Sequence, residues 1–251
     1  MGLIVLEKEI FAVSMVKFFK EGHTYEEECA SGFFYKQSDN LYFITNRHVV
    51  CDANHSPEQL RLRLHVDKYD LTKNRTFSLP LYNNDEPKWF EHPIFGEDVD
   101  IVALPIDKED ISKFYIESFN KHDLNTSRYL DLGEELLVAG YPEGEHDNLH
   151  NTPIARAATI ATPYIQPFRG RQGFLIDSRL HNGTSGSPVL TKPTTFIRNF
   201  NGRAELVHHH IKSFKKYLIG VHSEKFDERY PELDLSFVWF ASLIPKIIER
   251  Q

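Results

Sequence analysis

The chain consists mainly of short apolar runs separated by polar or turn-forming residues. The stretches EQLRLRLHV (58–66) and RTFSLPL (75–81) alternate apolar and polar positions, which is typical of strands with one buried face. Other runs are continuously apolar and bounded by turn-forming or charged residues: IFAVSMVKFF, GFFYK, LYFIT, IVALPI, ELLVAGY, GFLID, YLIGVHS and LSFVWF. Many short strands with few helices predict an all-β protein built of antiparallel barrels or a sandwich.

Two stretches have helical spacing instead. The first is KEDISKFYIESF (108–119), which is also the candidate connection between the two halves of the fold. The second is ASLIPKIIER (241–250), in which Ser242 is a candidate N-cap. The pair Asn201-Gly202 is a strong hairpin signal. We therefore predict an extended hairpin over residues 196–220 that turns at this pair.

Composition limits the possible partners. A chain of 251 residues with a net charge of −7 lacks the clustered Lys and Arg that nucleic-acid binding needs. No apolar run approaches the ~18 residues that span a membrane, and the N-terminal MGLIVLEKEIF has no basic head of the kind that starts a secretory signal. We predict a cytoplasmic protein with no nucleic-acid and no membrane partner.

The segment HNGTSGSPVL (181–190) raises the question of chemistry, because Ser185 is either a nucleophile in a sharp turn or an ordinary loop residue. Two other segments bear on it. LYFITNRHVV places His48 just after an apolar strand, and EDVDIVALPI places Asp100 directly before a strand apolar on both faces. We favour Asp100 over Asp98 because it adjoins the buried run. The order His, Asp, Ser is one known arrangement for nucleophilic catalysis.

The three residue types fit one reaction. A serine hydroxyl needs a base to accept its proton, and a histidine with an ordinary pKa near ~6.5 suits that task. Asp100 would fix the imidazole tautomer of His48. Backbone N–H groups of Gly183 and Ser185 would form the oxyanion hole, with glycine permitting the required backbone geometry. No cofactor is required.

These segments together resemble the trypsin-like (chymotrypsin-fold) serine peptidases, of the compact bacterial type without the vertebrate disulfides. ASGFFYK, LYFITNRHVV, DIVALPI, GTSGSPV and YLIGVHS each match a family segment, and the resemblance covers about residues 10–240. It implies two packed six-stranded antiparallel β-barrels with a C-terminal helix. The first barrel would span residues 1–112 and carry His48 and Asp100; the second, 113–251, would carry Ser185.

The resemblance also implies a serine endopeptidase that acts on polypeptides through an acyl-enzyme. Thr184 replaces the aspartate of relatives that are activated by cleavage, so we expect no activating cut. A regulatory protein partner would then account for how activity is restrained. The competing hypothesis is a catalytically silent domain of the same fold that serves as a protein- or peptide-binding module.

The family's specificity pocket corresponds to two short segments. The first is Leu180, His181 and Asn182; the second is His222, Ser223 and Glu224. Relatives that cleave after Glu or Gln carry a histidine in Gly-x-His, which matches residues 220–222. We therefore expect Glu or Gln before the scissile bond, with Lys or Arg favoured instead if Glu224 turns inward, and small apolar residues as a further alternative.

Three remaining patterns are weaker. In disulfide-bearing relatives a bridge lies near the histidine, but Cys51 is displaced from the matching position, so we predict that Cys29 and Cys51 are reduced thiols. The histidines at 146, 150 and 208–210 lack the spacing of a metal site, and we predict no metal. An α/β-hydrolase would need glycine at position 187, where this chain has serine.

Overall fold

The computed structural model describes residues 7–19, 27–51, 56–125, 128–193, 196–199, 204–206, 215–226 and 231–249. Strands dominate, as the apolar runs predict. The strands of the first half are β1 Val13–Phe19, β2 Glu27–Gln37, β3 Asn40–Thr45, β4 Gln59–His65, β5 Asn74–Pro80, β6 Tyr82–Asn83, β7 Glu86–Pro87, β8 Val102–Ile106 and β9 Phe119–Asn120.

The second half contributes another nine strands among the described residues. They are β10 Arg128–Tyr129, β11 Glu135–Gly140, β12 Ile154–Ile160, β13 Gly173–Asp177, β14 Pro188–Thr191, β15 Phe196–Asn199, β16 Ala204–Leu206, β17 Leu218–Lys225 and β18 Leu235–Phe240. The helices are short: α1 Glu9–Ala12, α2 Arg47–Val50 and α3 Leu243–Ile248, with 3₁₀ turns at Pro142–Gly144 and Pro231–Leu233.

The second barrel is closed. Its six strands are hydrogen-bonded in the order β11-β12-β13-β18-β17-β14. The first unit is a curled sheet in the order β5-β4-β1-β2-β3-β8, with β9 pairing parallel to β2. Its described strands do not close into a ring, and the outer edge of β8 is instead bridged at Ala103 by Phe90. Together they confirm the predicted all-β, chymotrypsin-like double barrel.

Alternate residues of single strands enter different cores, which explains the continuously apolar runs. Phe34 and Phe43 pack inside the first sheet, whereas Phe33 and Ile44 face the core that joins the two units. Likewise β18 sends Val238 into the second barrel and its neighbours toward the shared core. Because side chains alternate across a strand, a strand between two cores must be apolar on both faces.

Helix α3 lies in the predicted C-terminal stretch and packs its apolar side chains into the shared core. Ser242 occupies the N-cap position, but its side chain makes no capping hydrogen bond. Within the described residues, no helix has the length and apolar character needed to cross a membrane.

The predicted helix over residues 108–119 is wrong. The segment forms turns through residue 114 and then runs extended into β9. Its apolar side chains serve two separate cores: Ile111 and Phe114 pack against the first sheet, and Phe119 enters the shared core. The N–H of Tyr115 also donates to the carbonyl of His65 at 2.8 Å, so tertiary contacts override the local helical spacing.

The predicted hairpin near Asn201-Gly202 is seen in the antiparallel pairing of β15 with β16; the turn itself lies outside the described residues. The predicted division between residues 112 and 113 stays a prediction. Cys29 and Cys51, both among the described residues, are not joined by a disulfide.

Candidate functional site

The imidazole of His48 is held by the carboxylate of Asp100. Strands β3 and β8 pair with Thr45 opposite Val102, so the residues just beyond their paired ends come together. His48 Nδ1 lies 2.8 Å from Asp100 Oδ2, and the His48 backbone N–H donates to Oδ1 at 2.9 Å. A carboxylate only accepts hydrogen bonds, so Nδ1 carries the hydrogen and Nε2 is the basic nitrogen.

Ser223 links this pair to Ser185. Its hydroxyl donates to Asp100 Oδ2 at 2.6 Å, and its carbonyl accepts from Ser185 Oγ at 2.9 Å. The three residues selected from the sequence, His48, Asp100 and Ser185, therefore lie around Ser223 of β17. The side chain of Ser223, assigned from the sequence to the specificity pocket, contacts the carboxylate of Asp100.

Ser185 sits in a sharp turn between two glycines with left-handed backbone. Gly183 has φ +86° and Gly186 has φ +83°. A Cβ on Gly183 would lie 2.4 Å from the Tyr141 carbonyl, and one on Gly186 would lie 2.1 Å from the Ser31 carbonyl. Both positions thus require glycine. Within the described residues, the N–H groups of Gly183 and Ser185 have no backbone acceptor.

Ser31 on β2 fastens this turn to the first sheet. Its Oγ donates to the Gly183 carbonyl at 2.7 Å and accepts from the Tyr141 N–H at 2.9 Å. Its own N–H donates to the Ser185 carbonyl at 2.8 Å, and its carbonyl accepts from Thr45 Oγ1 at 2.8 Å. The residue is fully buried. Three of these four hydrogen bonds therefore connect the two units at the Ser185 turn, and the fourth holds Ser31 to β3 of its own sheet.

Sequence reasoning treated Ser31 only as part of an apolar strand. The position of Ser31 on β2 could have identified it. Ser31 lies two residues before Phe33 and four before Tyr35, and therefore on the face of the strand that is buried in the shared core. A buried polar side chain needs hydrogen-bond partners, so a serine at that register indicates a polar contact across the core.

His222 is buried behind the turn. Its Nδ1 lies 3.0 Å from the Thr184 carbonyl, which only accepts, so Nδ1 carries the hydrogen. The pKa of His222 is lowered to about 4, mainly because the ring is buried; the hydrogen bond to the Thr184 carbonyl opposes this shift, the nearby His48 adds to it and Asp100 opposes it. The ring is therefore neutral near pH 7, and its buried Nε2 is a lone-pair acceptor without a hydrogen-bond partner among the described residues.

The other residues assigned to the specificity pocket differ in position. Leu180 packs into the core of the second barrel. His181 and Asn182 are exposed. Glu224 is also exposed, and its Oε1 accepts from Arg171 Nη2 at 3.2 Å. The Glu224 carboxylate is thus paired at the surface.

In the described part of the chain, no group of three or more His, Cys, Asp or Glu side chains is arranged to hold a metal ion. His146 Nδ1 bonds the Gly144 carbonyl at 2.8 Å, and His150 Nδ1 bonds Asp147 at 2.7 Å. The histidines at 208–210 lie outside the described residues.

Removing the Ser31 hydroxyl tests the connection between the two units. Ser31→Ala would leave the buried Gly183 carbonyl and Tyr141 N–H without their partner, and each such loss costs about 1–3 kcal/mol. We expect the free energy of unfolding, measured by urea denaturation, to fall by about 2–4 kcal/mol.

The matched control is Ser14→Ala on neighbouring β1. Ser14 is equally buried, but its hydroxyl donates to two carbonyls, and that of Arg63 also accepts from Asn151 Nδ2 at 3.0 Å. We expect a loss of about 1 kcal/mol. Equal losses in the two variants would contradict the special role of Ser31.

Comparisons with known proteins bear on the fold and the family of this chain. A search of curated protein sequences gave no match. The fold is similar to three solved structures, each aligned over 96% of this chain: an HtrA-type protease with a tripeptide (14% identity, TM-score 0.58), a protease from Arthrobacter nicotinovorans (12%, 0.56) and a thermostable serine protease from an extremophilic microorganism (9%, 0.51).

These alignments cover 60%, 95% and 97% of the respective structures, so this chain spans less than two thirds of the HtrA-type protein. Sequence identities this low are evidence of a similar fold and of nothing more specific. The model of the trypsin-like peptidase domain matches residues 30–195, more than half of the sequence and including His48, Asp100 and Ser185. The chain therefore belongs to the trypsin-like peptidase family.

Proposed function

We propose that this protein is a serine endopeptidase in which Ser185, His48 and Asp100 form the catalytic triad. The observation that carries the proposal is the pair of hydrogen bonds that His48 donates to the Asp100 carboxylate, from ring Nδ1 at 2.8 Å and from the backbone N–H at 2.9 Å. It holds the imidazole with Nε2 as its base. The Ser185 hydroxyl is tied to the same network through Ser223.

In the proposed acylation step, Ser185 Oγ attacks the carbonyl carbon of the scissile peptide bond. The Ser185 hydroxyl turns from the Ser223 carbonyl toward His48, and its proton passes from Oγ to His48 Nε2 as the new C–O bond forms. The carbon–nitrogen bond then breaks, and His48 gives the proton to the departing amine. Asp100 stabilises the imidazolium between these two transfers.

The N–H groups of Gly183 and Ser185 would stabilise the oxyanion that develops on the substrate carbonyl. The positive φ of Gly183 supports this role, and so does the lack of a backbone acceptor for either N–H within the described residues. A water molecule, deprotonated by His48, would then hydrolyse the acyl-enzyme and regenerate Ser185. No cofactor takes part in either step.

The proposed substrate is a polypeptide that lies along β17, with the side chain before the scissile bond near His222. The remaining pocket candidates, Leu180, His181, Asn182, Ser223 and Glu224, surround the same turn in sequence or contact it. A regulatory protein partner remains part of the proposal. A silent binding module is not favoured, since His48, Asp100 and Ser185 are all present and brought together.

Substitution of the triad tests the proposal. We expect Ser185→Ala to lower kcat/KM for peptide hydrolysis by roughly 10³–10⁶-fold and Asp100→Asn to lower it by about 10⁴-fold, because the amide no longer fixes the His48 tautomer. The readout is cleavage of a mixed peptide library by the purified protein, followed by kinetics on a cleaved member.

Asp98→Asn is the matched control. Asp98 lies two residues from Asp100 on an exposed turn, so we expect it to change kcat/KM by less than about threefold. Loss of activity in Asp98→Asn with retention in Asp100→Asn would overturn the assignment.

The tautomer of His222 predicts the residue before the scissile bond. Neutral Nε2 can accept a hydrogen bond but cannot donate one, so it suits the side-chain amide of Gln better than the carboxylate of Glu. Pairing of Glu224 with Arg171 disfavours the alternative preference for Lys or Arg. We expect library profiling at pH 7 to show Gln before the bond, and His222→Ala to abolish that preference.

His122→Ala is the control, because His122 is exposed and is not a candidate for the pocket, so it should leave the preference intact. A cleavage pattern that is the same in His222→Ala and the wild type would remove His222 from the specificity pocket.

A further inference from the structure

We propose that Asn46 is a positioning residue, which holds the backbone of Asp100 so that its carboxylate stays aligned with His48. Asn46 lies between Thr45, the last residue of β3, and helix α2, which carries His48. Its side chain is fully buried, and Nδ2 donates to the Asp100 carbonyl at 2.7 Å. The inference deepens the proposed function and rests on it.

The Asn46 hydrogen bond begins where the pairing of β3 with β8 ends. That pairing stops at Val102, two residues after Asp100. The N–H of Ile101 donates to the Val99 carbonyl at 2.8 Å, which makes Asp100 the central residue of a three-residue turn. Among the described residues, no backbone N–H donates to the Asp100 carbonyl. The Asn46 side chain is therefore the group that fixes this carbonyl.

The Asn46 amide makes this contact although its position in the chain favours a different one. Asn46 occupies the N-cap position of α2, where an asparagine side chain commonly accepts from a backbone N–H of the first turn, but it makes no capping hydrogen bond. The Asp100 carbonyl only accepts, so the amide must present Nδ2 to it. The buried Oδ1 is left without a hydrogen-bond partner among the described residues.

The unpaired Oδ1 of Asn46 bears on whether the residue serves the fold or the site. A buried oxygen without a partner lowers the stability of the folded protein. An apolar side chain, or an amide that capped α2, would avoid this loss. Local features that give up stability are concentrated at functional sites. The orphaned oxygen therefore favours a role in the geometry of the site.

A fixed backbone at Asp100 fixes the direction of its carboxylate. Oδ1 accepts from the His48 N–H at 2.9 Å, and Oδ2 accepts from His48 Nδ1 at 2.8 Å and from the Ser223 hydroxyl at 2.6 Å. Asp100 is thus held at its carbonyl by Asn46 and at its carboxylate by His48. Without the Asn46 bond, the turn at Asp100 can rotate and carry the carboxylate away from the ring.

The test removes the amide donor in two ways. Asn46→Ala deletes the amide, and Asn46→Leu replaces it with an apolar side chain of similar size that fills the same space. On a peptide that the wild type cleaves, we expect each variant to lower kcat by about 10–100-fold, since a displacement of about 1 Å has effects of this size. KM should stay within about threefold, because Asn46 is buried and does not touch the substrate.

The direct readout is the tautomer of the neutral His48 ring. It is followed by NMR of protein whose histidines carry an isotopic nitrogen label, and the His48 signals are identified by their absence in His48→Ala. The hydrogen bond that one ring nitrogen makes decides which nitrogen carries the proton, so the wild type should show the Nδ1–H form. We expect both Asn46 variants to lose part of that form to the Nε2–H tautomer.

The matched control is Asn151→Ala. Asn151 is also buried, its Nδ2 donates to the Arg63 carbonyl at 3.0 Å, and its Oδ1 likewise has no partner among the described residues. Its φ of +51° makes alanine unfavourable there, so the urea midpoint should fall at least as far as in Asn46→Ala. The kcat and the His48 tautomer should nevertheless match those of the wild type, because Asn151 bonds to β4 and not to Asp100.

The NMR measurement separates this inference from the proposed reaction. If the wild type cleaves no peptide, the proposed function fails, whereas a tautomer change confined to the Asn46 variants still supports the positioning of Asp100. A wild-type tautomer in a folded Asn46 variant would overturn the inference, as would the same change in Asn151→Ala or an undiminished kcat where the wild type cleaves. Failure of both Asn46 variants to fold would assign the residue to the fold and overturn it too.

Discussion

The hydrogen bonds of Ser31 join the two halves of this protein at the point where its chemistry is proposed to occur. The hydroxyl holds Gly183 and Tyr141, and the backbone N–H holds Ser185. The turn that carries Ser185 therefore belongs to the second barrel by sequence but is positioned by the first sheet. His48 and Asp100 lie at the ends of two strands of that sheet, β3 and β8, so one strand sets the distance between the proposed base and the proposed nucleophile.

Such polar contacts hold their geometry only where the surrounding core keeps the two units in register. Strands β2, β3 and β18 lie between two cores and send alternate side chains into each. A slip of one residue would exchange these two sets of side chains and move Ser31 away from Gly183. The apolar runs thus specify both the fold and the alignment of the site, while α3 closes the shared core from outside.

Local patterns predicted the strands, because alternation and turn residues act over a few positions, and they predicted that His48, Asp100 and Ser185 lie at strand ends or turns. They failed at residues 108–119, where the apolar side chains serve separate cores. They did not reveal the contact of Ser223 with Asp100, and they left Ser31 out. Both omissions have one cause: the partners, Asp100 and Gly183, are more than a hundred residues distant in sequence, and only the packed sheets bring them together.

The central claim is that Ser185 is an activated nucleophile, and the most direct measurement is labelling of the folded protein with a fluorophosphonate. Attack by Oγ would form a phosphorus–oxygen bond and release fluoride, which needs His48 as base. The account predicts one adduct, mapped by peptide mass spectrometry to the segment with Ser185, and at least about a hundredfold slower labelling in Asp100→Asn. Folded protein that stays unlabelled, or that labels at another residue with Ser185 intact, would contradict it.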